Sequence, residues 1–284
     1  MRRPSRGRLA PPPSGTEASP RRRRGTTERV ARAERAGRAT RVDESEQKRY
    51  LAFLGERRAQ ILERMAGACE RAGRDTGEVT LLAVSKTVDV GSVALAWQAG
   101  YRAFGENRPQ ELRRKLEGLS SHPEMDGVRF DMIGNLQTNK INMVVGNVTL
   151  IHSISSMHLA DAVSSRSQTH GVTSRVLLEV NVSGEESKSG LTPDEARQGL
   201  EHVLCLPGLD LQGLMTMAPR NEPDVARRTF SGLRELRDEL ATRSGRELPI
   251  LSCGMSDDFQ IAIEEGSTLV RLGRTVFDPG YELK

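Results

Sequence analysis

No apolar run in this sequence approaches the roughly 20 residues that a bilayer-spanning helix needs, so no helical membrane anchor is expected. Nothing near the N-terminus resembles the apolar core of a secretion signal. Cysteine is scarce. Cys69, Cys205 and Cys253 are odd in number, widely spaced and without a CxxC pair, which argues against a disulfide framework or a zinc site and fits a reducing cytoplasm. There is no HxH, HExxH or DxD cluster, so no metal is expected. A Rossmann GxGxxG and a Walker loop are also missing, which removes the commonest nucleotide cradles. Aromatic residues make up 4% of the chain against 36% hydrophobic residues in all, so the core is mainly aliphatic.

The net charge of +4 hides an asymmetry. Residues 1–41 hold thirteen arginines, no lysine and three acids, giving +10 there and leaving −6 for the rest. Pro11 to Pro13, the Gly and Ser content and the lack of periodicity mark residues 1–43 as a disordered Arg-rich extension. Nucleic-acid binding and organelle targeting compete with a weakly selected extension as its role. The absence of aromatic residues to stack a base favours the last, so no nucleic-acid partner is expected.

From Glu44 to about Arg74 the pattern is helical, with Leu51, Leu54, Arg58, Ile61, Leu62, Met65 and Cys69 at three- and four-residue steps. Eight short apolar runs follow: 79–84, 102–104, 130–133, 149–151, 176–182, 209–214, 250–251 and 269–272. Helical candidates separate them at 89–99, 107–118, 137–144, 155–169, 193–204, 222–243 and 256–265, with helix starts at Ser155 and Pro193. Such alternation predicts a parallel sheet, and eight repeats over residues 44–284 predict a single-domain (β/α)8 TIM barrel.

In a barrel of this type chemistry sits at the carboxyl ends of the strands. The stretch LLAVSKTVDV, residues 81–90, places Lys86 where the first buried strand ends. A strand-end lysine ordinarily points into water. Here every other strand end also carries a polar or Gly-rich motif: FGENRPQEL, IGNLQTNK, HSISS, VNVSGEESKSG, MTMAP, LSCGMSDD and RLGRT. Ser252, Gly254 and Ser256 precede a helix, and Gly273 and Thr275 follow the last strand, a corner suited to phosphate. Phosphate opposite a lysine suggests a phosphorylated aldehyde held as a Schiff base, for which pyridoxal 5′-phosphate is the obvious candidate.

From about residue 46 onward the chain resembles the pyridoxal-phosphate homeostasis protein family, which is similar to the barrel domain of alanine racemase. AVSKT, FGENRPQEL, IGNLQTNK, VNVSGEESKSG, GLMTMAP and SCGMSDDFQIAIEEGSTLVRLG match in order. The resemblance implies a fold type III barrel that buffers and delivers the cofactor without turnover, with apo-enzymes that need it as partners. It implies that Lys86 carries pyridoxal phosphate, that Ser252, Gly254, Ser256 and Gly273 surround its phosphate, that Arg271 faces the pyridine nitrogen, and that Asn107 lines the pocket. Four positions depart from the family: Asp131 replaces a usual histidine, Cys253 a methionine, Arg274 a Ser or Thr, and Asp278 a glycine. Arg274 either pairs with the phosphate or points outward, and the eighth helix is expected to be short or absent. Glu106 and Glu179 are read as structural partners inside the barrel.

The alternative is an amino-acid racemase. Two-base racemisation needs a second proton donor facing Lys86. The only tyrosines are Tyr50, Tyr101 and Tyr281, and no second domain is expected after the eighth strand.

Overall fold

The computed structural model describes residues 44–185 and 188–283, so the expectation for the Arg-rich extension lies outside the described residues. From Lys48 onward the chain forms one compact unit. Its eight strands are β1 (Thr80–Val84), β2 (Ala103–Glu106), β3 (Arg129–Met132), β4 (Leu150–Ile154), β5 (Ser174–Glu179), β6 (Leu209–Met215), β7 (Ile250–Ser252) and β8 (Leu269–Leu272). They close in sequence order into a barrel, and β1 pairs in parallel with both β2 and β8. Each of the eight apolar runs became a strand, because both faces of every strand are covered and period-2 alternation is not required.

The helices are α1 (Glu44–Arg71), α2 (Val90–Gln98), α3 (Pro109–Gly118), α4 (Met157–Thr169), α5 (Pro193–Cys205), α6 (Pro223–Ser244), α7 (Phe259–Glu264) and α8 (Arg274–Phe277). The eighth is a single turn, as the short sequence after β8 implied. Local chemistry sets their starts. Thr192 caps α5 in a capping box with Glu195, ahead of Pro193 at the first turn. The cap of α4 is Ser156, which accepts from Leu159 N, and not Ser155. The helix expected at 137–144 is a 3-10 segment over Thr138–Met143.

Packing falls into two layers. Leu82, Ala103, Leu150, Leu177, Met215 and Leu269 fill the barrel interior, while a larger aliphatic cluster lies between strands and helices. In α1 the buried stripe is Leu54, Arg57, Ile61, Met65, Ala68 and Cys69. The step pattern had pointed to Arg58 and Leu62, but Arg57 is the buried arginine and Leu62 is exposed. Arg57 is held because its guanidinium donates to Thr275 O at 3.1 Å and Tyr281 O at 3.0 Å, satisfying carbonyls after β8. No helix among the described residues is long and apolar enough to cross a membrane.

Candidate functional site

Side chains alternate across a strand, so residues two apart share a face. Leu82 belongs to the interior cluster, and Lys86 stands in the turn two residues past the carboxyl end of β1. Lys86 is exposed and lines a cavity of about 430 Å³ with Thr87, Glu106, Asn107, Arg108 and Glu111. A second cavity of about 340 Å³ shares Asn107 and Arg108 and reaches Lys140. The strand end carries the lysine to the rim instead of burying it, which avoids desolvating an ammonium.

Ser85 and Glu106 have the parity opposite to Leu82 and Ala103 and face the helices. Glu106 Oε1 accepts from Ser85 Oγ at 2.5 Å and from Lys115 Nζ, and Lys115 also bonds Ser85 O. Glu106 is therefore a partner in the layer between sheet and helix, not inside the barrel. Sequence reasoning missed Lys115. Its signal was the three-residue step from Leu112, which puts it on the buried face of α3. Next along β2, Asn107 is half-buried and its Oδ1 has no hydrogen-bond partner among the described residues. Gly134 permits this arrangement, since a Cβ there would lie 2.2 Å from Asn107 O.

On the other side of β1 stand the ends of β7 and β8. Gly254 adopts φ +91, and a Cβ would meet Ala262 Cβ at 2.6 Å, so both conformation and space demand glycine. Ser256 Oγ accepts from Thr275 N at 3.4 Å, tying the two loops together. The Thr275 hydroxyl is buried beside Tyr281. Gly273 abuts β1, where an added Cβ would sit 3.5 Å from Val84 O. Arg274 points outward: it pairs with Asp257 at 2.9 Å and lies over the Tyr281 ring at 5.2 Å. Exposed pairs of this kind contribute about 0–1 kcal/mol, so Arg274→Ala should lower stability by no more than about 1 kcal/mol in chemical unfolding. A larger loss would mean that the guanidinium supports the corner itself.

Arg271 enters the barrel from β8. It is 5% exposed, and its guanidinium donates to Ser252 O at 2.7 Å, Ser252 Oγ at 2.6 Å and Thr216 O at 3.0 Å. Burial lowers its pKa, yet a guanidinium starts so high that it stays cationic. Ser252 thus turns its hydroxyl to Arg271 and His152 inside the barrel, while Gly254, Ser256 and Gly273 form the outer corner. His152 is fully buried; burial holds its pKa below the ordinary value against the pull of Asp131. Asp131 is pushed up by burial but ends below the usual range, because His152 and Arg129 donate to it. Glu179 is raised by burial, with Ser189 Oγ donating to it at 2.5 Å. The buried thiol of Cys253 is pushed up to about 11, again by burial.

The seven residues singled out from the sequence therefore gather on four neighbouring strands, β7, β8, β1 and β2. Residues 60–278 match the family model described as the alanine racemase N-terminal domain. A pyridoxal phosphate homeostasis protein of Aquifex aeolicus is 44% identical over 223 residues, covering 78% of this chain and 96% of that protein. This chain belongs to the pyridoxal phosphate homeostasis protein family. Among solved structures, a protein of Bifidobacterium adolescentis superposes with a TM-score of 0.76 at 41% identity, covering 83% of this chain and 97% of the other. PipY of Synechococcus elongatus, a structure with PLP bound, gives a TM-score of 0.68 at 30% identity, covering 76% and 99%. Membership of this family accounts for the fold.

Proposed function

We propose that the chain binds pyridoxal 5′-phosphate as a Schiff base on Lys86 and acts in homeostasis of that cofactor, holding and releasing it. The residues fit the group. β1 lies between β2 and β8. The end of β2 brings Asn107 Oδ1, a buried acceptor with no hydrogen-bond partner among the described residues, into the cavity that Lys86 lines. That meeting of an exposed lysine and an unfilled acceptor in one cavity is the observation that carries the reading. Lys86 would hold the cofactor by condensation of its amine with the aldehyde carbon, in which C=N would replace C=O and one water would leave. Ser256, Gly254 and Gly273 receive the phosphate. Ser252 serves Arg271 in place of the phosphate, since its hydroxyl is already bonded inside the barrel.

The bound cofactor supplies an aldehyde for amines and a ring that withdraws electrons best when its nitrogen is protonated. Arg271 opposes that protonation, because a fixed cation beside the nitrogen disfavours a second positive charge. A non-catalytic role is supported by the tyrosines. Tyr101 is 2% exposed, Tyr50 donates to Phe277 O at 3.0 Å, and Tyr281 donates to Asp257 Oδ1 at 2.7 Å. Both ring nitrogens of His152 are hydrogen-bonded in the interior. Tyr50, Tyr281 and His152 are thus engaged elsewhere, and the buried Tyr101 hydroxyl, without a hydrogen-bond partner among the described residues, lies toward Arg57, Arg58 and Tyr50 of α1. Apo-enzymes that need the cofactor are the partners, and the free cysteines fit a cytoplasmic setting.

The test is a chirality assay. Loaded protein incubated with L-alanine or L-serine should form no D-isomer above the rate of free cofactor. A well-placed acid–base group contributes about 10²–10⁴-fold, so its presence would be evident. Steady, protein-proportional D-isomer that disappears in Lys86→Ala would establish the racemase instead.

A further inference from the structure

Inside the barrel one line of hydrogen bonds runs from β3 to the arginine of β8. Arg129 Nε and Nη2 donate to Asp131 Oδ1 and Oδ2 at 3.0 and 2.7 Å. Asp131 Oδ2 also meets His152 Nε2 at 3.2 Å, and His152 Nδ1 meets Ser252 Oγ at 2.9 Å. Arg271 Nη1 closes the line on Ser252 Oγ at 2.6 Å. Asp131, His152 and Ser252 are all 0% exposed.

The chemistry of these groups fixes the direction of the line. A carboxylate only accepts, so His152 Nε2 carries the proton that faces Asp131. The neutral imidazole then has a bare Nδ1, which takes the single hydroxyl proton of Ser252. Ser252 Oγ is left with lone pairs alone, and a guanidinium only donates. Reversal at the Ser252 link would need a doubly protonated imidazole, a further buried cation near Arg271 and Arg129, which burial opposes. Hydroxyl, imidazole and carboxylate stand in the order of a hydrolytic triad, but Ser252 is sealed from solvent and capped by Arg271, so it offers no nucleophile.

We propose that Asp131, His152 and Ser252 are positioning residues of the cofactor site, a one-way relay that sets the orientation of the Arg271 guanidinium toward the pyridine nitrogen. This rests on the reading of the site as a pyridoxal-phosphate site. The other titratable groups acting on Arg271 are Cys253 after β7, Asp258 before α7 and Glu179 on β5, and the Cys253 thiol is pushed up by burial. The hydrogen bonds of Glu179 and Asp258 go elsewhere, to Ser189 Oγ and Met255 N. The side chain that grips the guanidinium is therefore Ser252, aided by the carbonyls of Ser252 and Thr216. A carboxylate at Asp131 fixes the tautomer of His152, because it can only accept.

The first measurement needs neither a variant nor the cofactor. Nitrogen-15 spectra of the wild-type protein should show His152 neutral, protonated at Nε2 and bare at Nδ1; a proton on Nδ1 would overturn the relay. The second titrates the absorption spectrum of protein loaded with pyridoxal 5′-phosphate in Ser252→Ala, Asp131→Asn and Ser252→Thr. Loss of the hydroxyl or the carboxylate should weaken retention about ten-fold, the scale of one buried hydrogen bond, and move protonation of the ring nitrogen to higher pH. Ser252→Thr, which keeps the hydroxyl, should restore the wild-type titration. Lower thermal stability with an unchanged titration would reduce the relay to a structural role and overturn the proposal. If the buried variants do not fold, Arg129→Gln, at the 27% exposed end of the line, should give the same shift in smaller measure, and no shift there also overturns it. A wild-type protein that takes up no cofactor would refute the binding reading, while the tautomer of His152 would still be decided.

Discussion

Lys86→Ala should give a protein that folds like the wild type and carries no covalent cofactor. Lys86 is exposed in the turn after β1, and substitutions at such positions change stability by about 0.5 kcal/mol or less. The effect on loading should be all or none, because the neighbouring amine of Lys115 is buried and bonded to Glu106 and to Ser85 O. Borohydride reduction of loaded wild-type protein, followed by peptide mapping, should place one phosphopyridoxyl group on Lys86. Lys140 and Lys188 are the informative controls. Lys140 lines the adjoining cavity, and Lys188 stands 3.7 Å from Glu185. A label on either, persisting in Lys86→Ala, would move the site away from β1.

Arg271→Glu should be the most destabilising of the single changes considered. It removes donors from Ser252 Oγ, Ser252 O and Thr216 O, and puts a carboxyl where Glu179 and Asp258 are already raised by burial. Breaking a buried charged arrangement by losing one partner costs about 3–5 kcal/mol. The pH dependence has a definite sign. The new carboxyl titrates at about 4.3 in the unfolded chain and higher in the folded one, so it costs nothing below that value. The cost grows as pH rises toward the folded pKa. The urea midpoint of the variant should therefore drop, relative to wild type, between pH 5 and pH 8. Loaded variant that survives should also show a shifted absorption spectrum, because the ring nitrogen gains an acid neighbour and can protonate. An unchanged midpoint and spectrum would place Arg271 away from both the buried cluster and the ring.

The barrel was readable because its signal is repetitive. Eight apolar runs separated by helix-length stretches leave few alternatives, and capping residues such as Thr192 and Glu195 sharpen the boundaries. The candidate site was legible to the extent that polar residues fall at strand ends: the structure puts Lys86, Asn107 and Ser256 just past the ends of β1, β2 and β7. What escaped was whatever depends on which face a residue takes after folding. Ser252 looked like a phosphate ligand because its neighbours Gly254 and Ser256 fit that corner, but it turns to Arg271 in the interior. Arg57 was passed over for Arg58, since one residue of helical phase decides which arginine meets the carbonyls of Thr275 and Tyr281. The pairing of Asp131 with His152 joins positions on adjacent strands, and one chain read alone does not display cross-strand partners.

The order in which the site is made follows from the pairing of β1 with β8. The ribosome delivers the reactive amine on Lys86 long before the corner at Gly273 to Thr275. Roughly 190 residues separate them, about 10–40 s of synthesis at ordinary elongation rates. On the proposed reading, a nascent chain in that interval has the lysine but not the corner that would seat a phosphate, so capture of the cofactor would report a finished barrel. Chains halted short of β8 would then be expected to withdraw no cofactor from the cell, a selectivity that comes from chain order alone.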